Sequence, residues 1–300
     1  MRRNLTLAYL AFAIVCFFWG TVYLGIRIAI EAIPPLPLMG IRFFAPGLVI
    51  VLAGAAFKLK MPTPKEFLWT SLCGLLTLGL GVGTLFFSAQ WIPSGLMAMF
   101  ATTTPFWMVG VERLFPGGEP LNGKAVGGML LGLVGTLVLA IPPDGSTEGF
   151  QGPVFSSFLV LQLGCAAWAV GAILQRKLKT AAGPFVIGGV QELATGTAFL
   201  LYWLSTTHQP IHWTAKGLWA LAYLILIGGA LTYTAYIYAV KNLPVSLVSI
   251  HNYVNPMVAV ALGALLYHEP FQTYYLGAMA LVCAGLFIVQ RYSTSGPAGH

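Results

Sequence analysis

Charge is what this 300-residue chain lacks. Asp, Glu, Lys and Arg together make up 8% of it, against about 25% in a soluble domain. Only eight residues are acidic, so acid–base chemistry has few carriers. There is no HExxH helix and no pair of intramembrane aspartates. No Ser or His stands in a nucleophile motif. Lys and Arg do not cluster inside the apolar runs, as a phosphorylated substrate would require. Cysteine is scarce as well. Cys16, Cys73, Cys165 and Cys283 fall singly in apolar segments without metal spacing, so they read as packing thiols with no disulfide. The expectation is no enzyme, no catalytic residue, no metal and no cofactor.

What the chain has is apolar residues, 58% of the total. They fall into ten runs, about 7–28, 37–57, 67–90, 94–115, 122–141, 154–175, 183–204, 217–239, 244–267 and 271–290. Each approaches or exceeds the roughly 20 residues needed to cross hydrocarbon. Arg2 and Arg3 precede the first run as in a signal peptide, but that run is long and no small-residue cleavage site follows, so it reads as a retained span. The chain is therefore expected to be an all-α membrane protein with ten transmembrane helices, a lipid bilayer as surroundings and a disordered tail at 292–300. A net charge of +7 would suggest nucleic acid in a soluble protein. Here the basic residues lie between apolar runs, and topology explains them. With the N-terminus inside, twelve of the 15 Lys and Arg fall in cytoplasmic segments and only Lys216 in an outer loop. Arg27 and Arg42 lie near outer helix ends, from where they can snorkel to the interface. Both termini are expected to be cytoplasmic.

The two halves repeat. FFWGTVYLGIR, ending at Arg27, parallels AAWAVGAILQR, ending at Arg176. GIRFFAPG from Gly40 parallels GVQELATG from Gly189, and PSGLMAMFATTTP from Pro93 parallels PVSLVSIHNYVNP from Pro244. GEPLNGKAVGGMLLGLVG from Gly118 parallels HEPFQTYYLGAMALVCAG from His268. Five spans per copy is an odd number, so residues 1–145 and 150–291 form two inverted five-helix repeats. Inverted repeats are a signature of secondary transporters, which bind near the midplane between halves.

FWGTVYLGIRIA, the Arg42–Phe43 pair six residues into the second span, and an EP…G…G last span in each half resemble the drug/metabolite transporter superfamily. The ten-span EamA branch is the closest pattern, over about residues 8 to 290, and within it the chain is most similar to bacterial aromatic amino acid exporters. The resemblance implies two inverted repeats around a central cavity, the cell inner membrane and alternating access. Small multidrug carriers of the superfamily rely on a first-span glutamate. This first span has none before Glu31, at its end, which counts against proton-coupled cation export.

Several residues are candidates for binding a small-molecule substrate. Glu192 is the carboxylate deep inside a span, where a charge costs on the order of 3 kcal/mol. It is either a structural hydrogen-bonding group or a site for a substrate amine or a proton. At ~1.5 Å per residue in a ~30 Å core, Arg42 and Glu192 are ~9 Å apart in height, so no direct pair is expected. Glu119 and Glu269 each precede a proline and read as devices that start the last spans. Trp19 and Trp168 are repeat mates near mid-span, either packing residues or an aromatic cavity wall. Among Phe86, Tyr233, Tyr236 and Tyr238 in the third and eighth spans, at least one hydroxyl is expected to face inward. The segment HNYVNP places His251, Asn252 and Asn255 in an apolar span, with Pro256 as the mate of Pro105. The prolines read as gates and the polar residues as substrate contacts, with a helix-gluing hydrogen-bond network as the alternative. The reading is an exporter of amino acids with an aromatic or hydrophobic bias, monomer favoured. The rivals are a polyspecific drug or quaternary-cation exporter of the same fold and, in a different class, a channel or receptor.

Overall fold

A computed structural model of the protein describes residues 5–115, 122–140, 152–206, 210–243, 245–248, 250–270 and 272–293. Glu119, most of the fifth-to-sixth-span loop and the last seven residues of the tail lie outside them. Helices account for every element among the described residues. The first two spans are α1 (Leu5–Ala29) and α2 (Pro35–Ala56). The third runs through α3 (Pro64–Gly74), a π-helical stretch (Leu75–Val82) and α4 (Gly83–Ser88). The fourth is broken into α5 (Ser94–Ala101) and α6 (Thr104–Leu114). Then come α7 (Gly123–Ala140), α8 (Pro153–Lys177) and α9 (Pro184–Thr206). The eighth span is α10 (Ala215–Ile225), a second π-helical stretch (Leu226–Leu231) and α11 (Thr232–Asn242). The ninth is α12 (Val245–Val248) with α13 (His251–Tyr267), and the tenth is α14 (Tyr274–Ser293).

Among the described residues, eight helical stretches are long and apolar enough to cross a membrane. The fourth and ninth spans escape that count because each is broken, and they are repeat mates. Large apolar side chains stand exposed along the spans, Trp219 at 77% and Leu265 at 73%. Lipid is the solvent that makes such exposure favourable, and helices suit it because they satisfy their own backbone.

The chain folds as two compact units. The first comprises Met1–Leu24, Trp91–Gln162 and Leu226–His300; the second comprises Gly25–Gln90 and Leu163–Ile225. Each draws on both sequence halves, and each is held by a glycine-lined pair of repeat-mate helices. In the second unit a Cβ on Gly40 would meet Leu200, on Gly47 Leu193, and on Gly54 Val186. Each step of seven up α2 is thus matched by seven down α9, so the two run antiparallel. Gly189 and Gly196 return the contact against Ile50 and Phe44. Glycines at this spacing share one face and let backbones approach closely. In the first unit α7 and α14 do the same: Gly128 faces Ile288 and Gly135 faces Leu281.

Glu269 corrects an expectation. It does not start its own span, because α14 begins only at Tyr274. Its carboxylate instead accepts from the Ser94 backbone N–H at 2.9 Å and the Ser94 hydroxyl at 2.7 Å. It thereby satisfies an orphan donor at the first turn of α5, 175 residues away.

Candidate functional site

In the first unit three of the sequence candidates meet. The Trp19 ring centroid lies 5.1 Å from that of Tyr236 and 5.1 Å from that of His251, and Tyr236 and His251 are 5.8 Å apart. The rings are tilted or edge-on, the favoured arrangement for quadrupoles. α1 supplies the tryptophan, α11 the tyrosine, and the first residue of α13 the histidine. All three are only partly buried, so each retains open surface. His251 Nδ1 is 2.8 Å from Val248 O. A carbonyl accepts only, so Nδ1 carries the proton and Nε2 is left as an acceptor in the neutral ring.

This bond shows what HNYVNP does locally. The ninth span is interrupted at the Ile250 turn that precedes α13, and His251 bonds back to Val248 O from the first residue of that helix. The fourth span makes such bonds with three threonines. Thr102 bonds back to Met99 O, Thr103 to Phe100 O at 3.0 Å, and Thr104 to Ala101 O at 2.7 Å. Ala101 is the residue whose carbonyl Pro105 cannot serve, four residues on. The breaks are not at matching places. Pro105 stands in the first turn of α6, whereas Pro256 lies inside α13.

Asn255 is buried, and with its amide nitrogen toward the carbonyls it donates to Cys16 O at 3.0 Å and His251 O at 3.1 Å. That orientation is the one that pairs donors with acceptors. Asn255 thus ties α13 to α1, at the level where a Cβ on Gly20 would meet Asn255 O at 2.8 Å. Asn252 lines a small, mostly apolar cavity with Met99, Thr102, Tyr253, Met279 and Cys283. Tyr233, on α11, is 48% exposed. Gln162 is a residue that sequence reasoning missed. Its Oε1 accepts from Thr103 Oγ1 at 2.8 Å and Trp107 Nε1 at 2.9 Å, clamping α8 to the broken fourth span. A lone glutamine in an apolar run was its only signal.

The second unit holds the charged candidates. Arg42 does not snorkel; it is 8% exposed. Its guanidinium carbon lies 5.2 Å from the Phe43 ring and 5.3 Å from the Phe86 ring, so two aromatic faces replace water as its partners. Phe86 is fully buried beneath it. Glu192, on α9, is partly buried. The glycine register sets Gly47 against Glu192 and Leu193, little more than one helical turn along α2 from Arg42. No ion pair within 4.0 Å joins Arg42 to Glu192. Arg42 Nη1 and Glu192 Oε2 are both buried without a hydrogen-bond partner. Trp168 stacks over the π-helical stretch of the third span, where a Cβ on Gly81 would approach it to 3.1 Å.

Long apolar helices, two broken spans with capped carbonyls, and buried polar groups within the spans define a multi-pass membrane protein. The chain belongs to the EamA-like transporter family, whose model matches it twice, over residues 6–141 and 155–291. It is 30% identical to the uncharacterized inner membrane transporter YedA of Escherichia coli K12, over 90% of this chain and 86% of that one. It is 23% identical to the uncharacterized transporter YoaV of Bacillus subtilis (91% and 93% covered). It is 26% identical to protein PecM of Dickeya dadantii (92% and 89% covered). A solved crystal structure with a TM-score of 0.61 and 23% identity covers 96% of both chains, which establishes the shared fold.

Proposed function

We propose that the protein exports amino acids with an aromatic or hydrophobic bias, or similar small metabolites, across the inner membrane by alternating access. The observation that carries the reading is the cluster of Trp19, Tyr236 and His251. Three rings with open surface suit an aromatic or apolar side chain, and none of them carries a fixed charge. A carrier gains from that, because it must release what it binds. The interrupted fourth and ninth spans suit gates, with Pro105 at the fourth-span break and Pro256 inside α13, past the ninth-span interruption. The inverted repeat, with 1–145 and 150–291 facing opposite ways, would supply the two alternating states. Both termini lie in the cytoplasm on this reading. Glu192 favours the second reading, export of drugs or quaternary cations, because its Oε2 has no partner.

Counterflow with purified protein in liposomes tests the reading. Labelled Phe, Trp or Thr should accumulate against the same unlabelled amino acid inside. Trp19→Ala should weaken Phe and Trp several-fold, since a stacked ring contributes about 0.5–1.5 kcal/mol beyond its area. Counterflow of quaternary cations without that of amino acids would establish the second reading, and a conductance without counterflow would establish a channel. Cysteines placed at Lys60 and Trp213, both exposed, should label from opposite sides.

A further inference from the structure

We propose that Arg42 and Glu192 form a zwitterion site in the second unit, Arg42 taking the carboxylate of the transported molecule and Glu192 its ammonium group. The inference rests on the carrier reading and narrows its substrate class. It starts from a mismatch. Two opposite charges in the same pair of helices could have been set in contact and satisfied each other. They are instead too far apart to bond, on neighbouring turns of a close helix pair in which Gly47 packs against Glu192 and Leu193. Each keeps a buried polar atom with no partner, Arg42 Nη1 and Glu192 Oε2. Those atoms are the complementary donor and acceptor that the two poles of an α-amino acid require.

The surroundings keep this arrangement in place. Arg42 lies over the Phe43 and Phe86 rings, at 5.2 and 5.3 Å, contacts that leave its N–H groups free for a ligand. Glu192 is held where α9 crosses Gly47 of α2, a contact too close for any side chain at that position. With Arg42 and Glu192 both ionised, a bound zwitterion leaves no net charge buried. A pure cation or a pure anion would leave one protein charge uncompensated, at a high desolvation cost. The site therefore discriminates by head group rather than by side chain. The neighbouring Gln191 does not compete, since its amide bonds Gln175 at 2.9 Å.

The test is a head-group series on detergent-purified protein, read by radioligand binding and by ligand-induced thermal shift. The probes are L-phenylalanine, phenethylamine, which lacks the carboxylate, and 3-phenylpropionate, which lacks the amine. Wild type should prefer phenylalanine to both by about tenfold or more. Arg42→Gln should abolish the preference over phenethylamine, and Glu192→Gln the preference over phenylpropionate. A structural role would not produce that crossed pattern. If Arg42→Gln does not fold, Arg42→Lys and the Arg42→Gln/Glu192→Gln double variant carry the test. The former should lose part of the carboxylate preference, and the latter should bind all three probes alike. Equal losses for every probe in both variants overturn the site. Counterflow of other solutes without any zwitterion response also overturns it and leaves the carrier reading standing. A crossed pattern in protein that shows no counterflow keeps the site and ends the carrier reading.

Discussion

The two units differ in how many of their buried polar groups find a partner. In the first, polar side chains hold broken helices together. Three threonines and His251 return to carbonyls of the preceding turn, Gln162 clamps Thr103 and Trp107, and Glu269 caps α5. In the second some are satisfied, as Thr77 is by Cys73 O, but more are left open. Among the described residues nine polar side chains have a buried atom with no partner. Seven belong to the second unit: Arg42, Thr70, Ser71, Ser88, Glu192, Thr195 and Trp203. An unpaired buried polar group costs about 1–3 kcal/mol. Rules broken in one place and kept in another mark where function has priority over stability. On this comparison the first unit's polar groups serve mechanical continuity, and the second's open groups are the ones the proposed head-group site uses.

The largest effects should come from what the units share, their glycine-lined helix pairs. In α7 a Cβ on Gly128 would lie 2.8 Å from Ile288 and 2.9 Å from the Gly285 carbonyl, whereas Gly127 has nothing within 4 Å. In α9 a Cβ on Gly189 would meet Ile50, whereas Gly188 has nothing within 4 Å. Gly128→Ala and Gly189→Ala should each destabilise by about 1–3 kcal/mol, because the helices must part. Gly127→Ala and Gly188→Ala should be neutral, or stabilising by up to about 1 kcal/mol through helix propensity. Melting temperatures in detergent check all four. Should Gly128→Ala and Gly189→Ala melt with wild type, close packing does not hold the units.

Much of this was legible in the sequence. Hydropathy located the spans, because crossing a bilayer demands apolar runs of fixed length. The glycines also announced their pairing, since GIRFFAPG and GVQELATG carry Gly at the same seven-residue interval. The rings of Trp19, Tyr236 and His251 were each singled out, but their meeting was not visible, because it depends on the packing of three helices. Two features were hidden for a clearer reason. The π-helical stretches Leu75–Val82 and Leu226–Leu231 are wholly apolar apart from Thr77, so an extra residue per turn leaves no trace in the pattern. The role of Glu269 was hidden because the adjacent proline suggested a local helix start. The carboxylate's actual partner is in the other sequence half.

Helix caps sharpen the comparison with a middle-sized effect. Both units use a glutamate at a helix N-terminus. Glu269 is partly buried and bonds Ser94 at 2.7 Å, while Glu66 is exposed, completing a capping box with Thr63 at 2.7 Å and accepting a longer bond from Ala181 N at 3.4 Å. Hydrogen bonds to a charged group contribute about 1.5–3 kcal/mol when shielded. Water competes for the exposed carboxylate and screens its charge, so the local box contributes less. Glu269→Gln should therefore destabilise clearly more than Glu66→Gln, as read by chemical denaturation. Equal effects would mean that the contact to Ser94 does not hold the fourth span.

The smallest effect is the most direct test of the asymmetry, because it makes one substitution in both units. Thr103 and Thr195 are both buried, at 1% and 0% exposure. Thr103 belongs to the Gln162 network; the Thr195 hydroxyl has no hydrogen-bond partner. Valine keeps the shape of threonine and removes only the polar group. Thr103→Val discards a satisfied bond and leaves Gln162 Oε1 with one donor, so it should cost about 1 kcal/mol. Thr195→Val removes an unsatisfied hydroxyl and should be neutral or stabilising by a few tenths of a kcal/mol, about the smallest change such scans resolve. Paired melting curves decide it. A Thr195→Val protein that is less stable than Thr103→Val would mean that the hydroxyl has a bound partner in the membrane. The second unit's open groups would then be satisfied there like the first's.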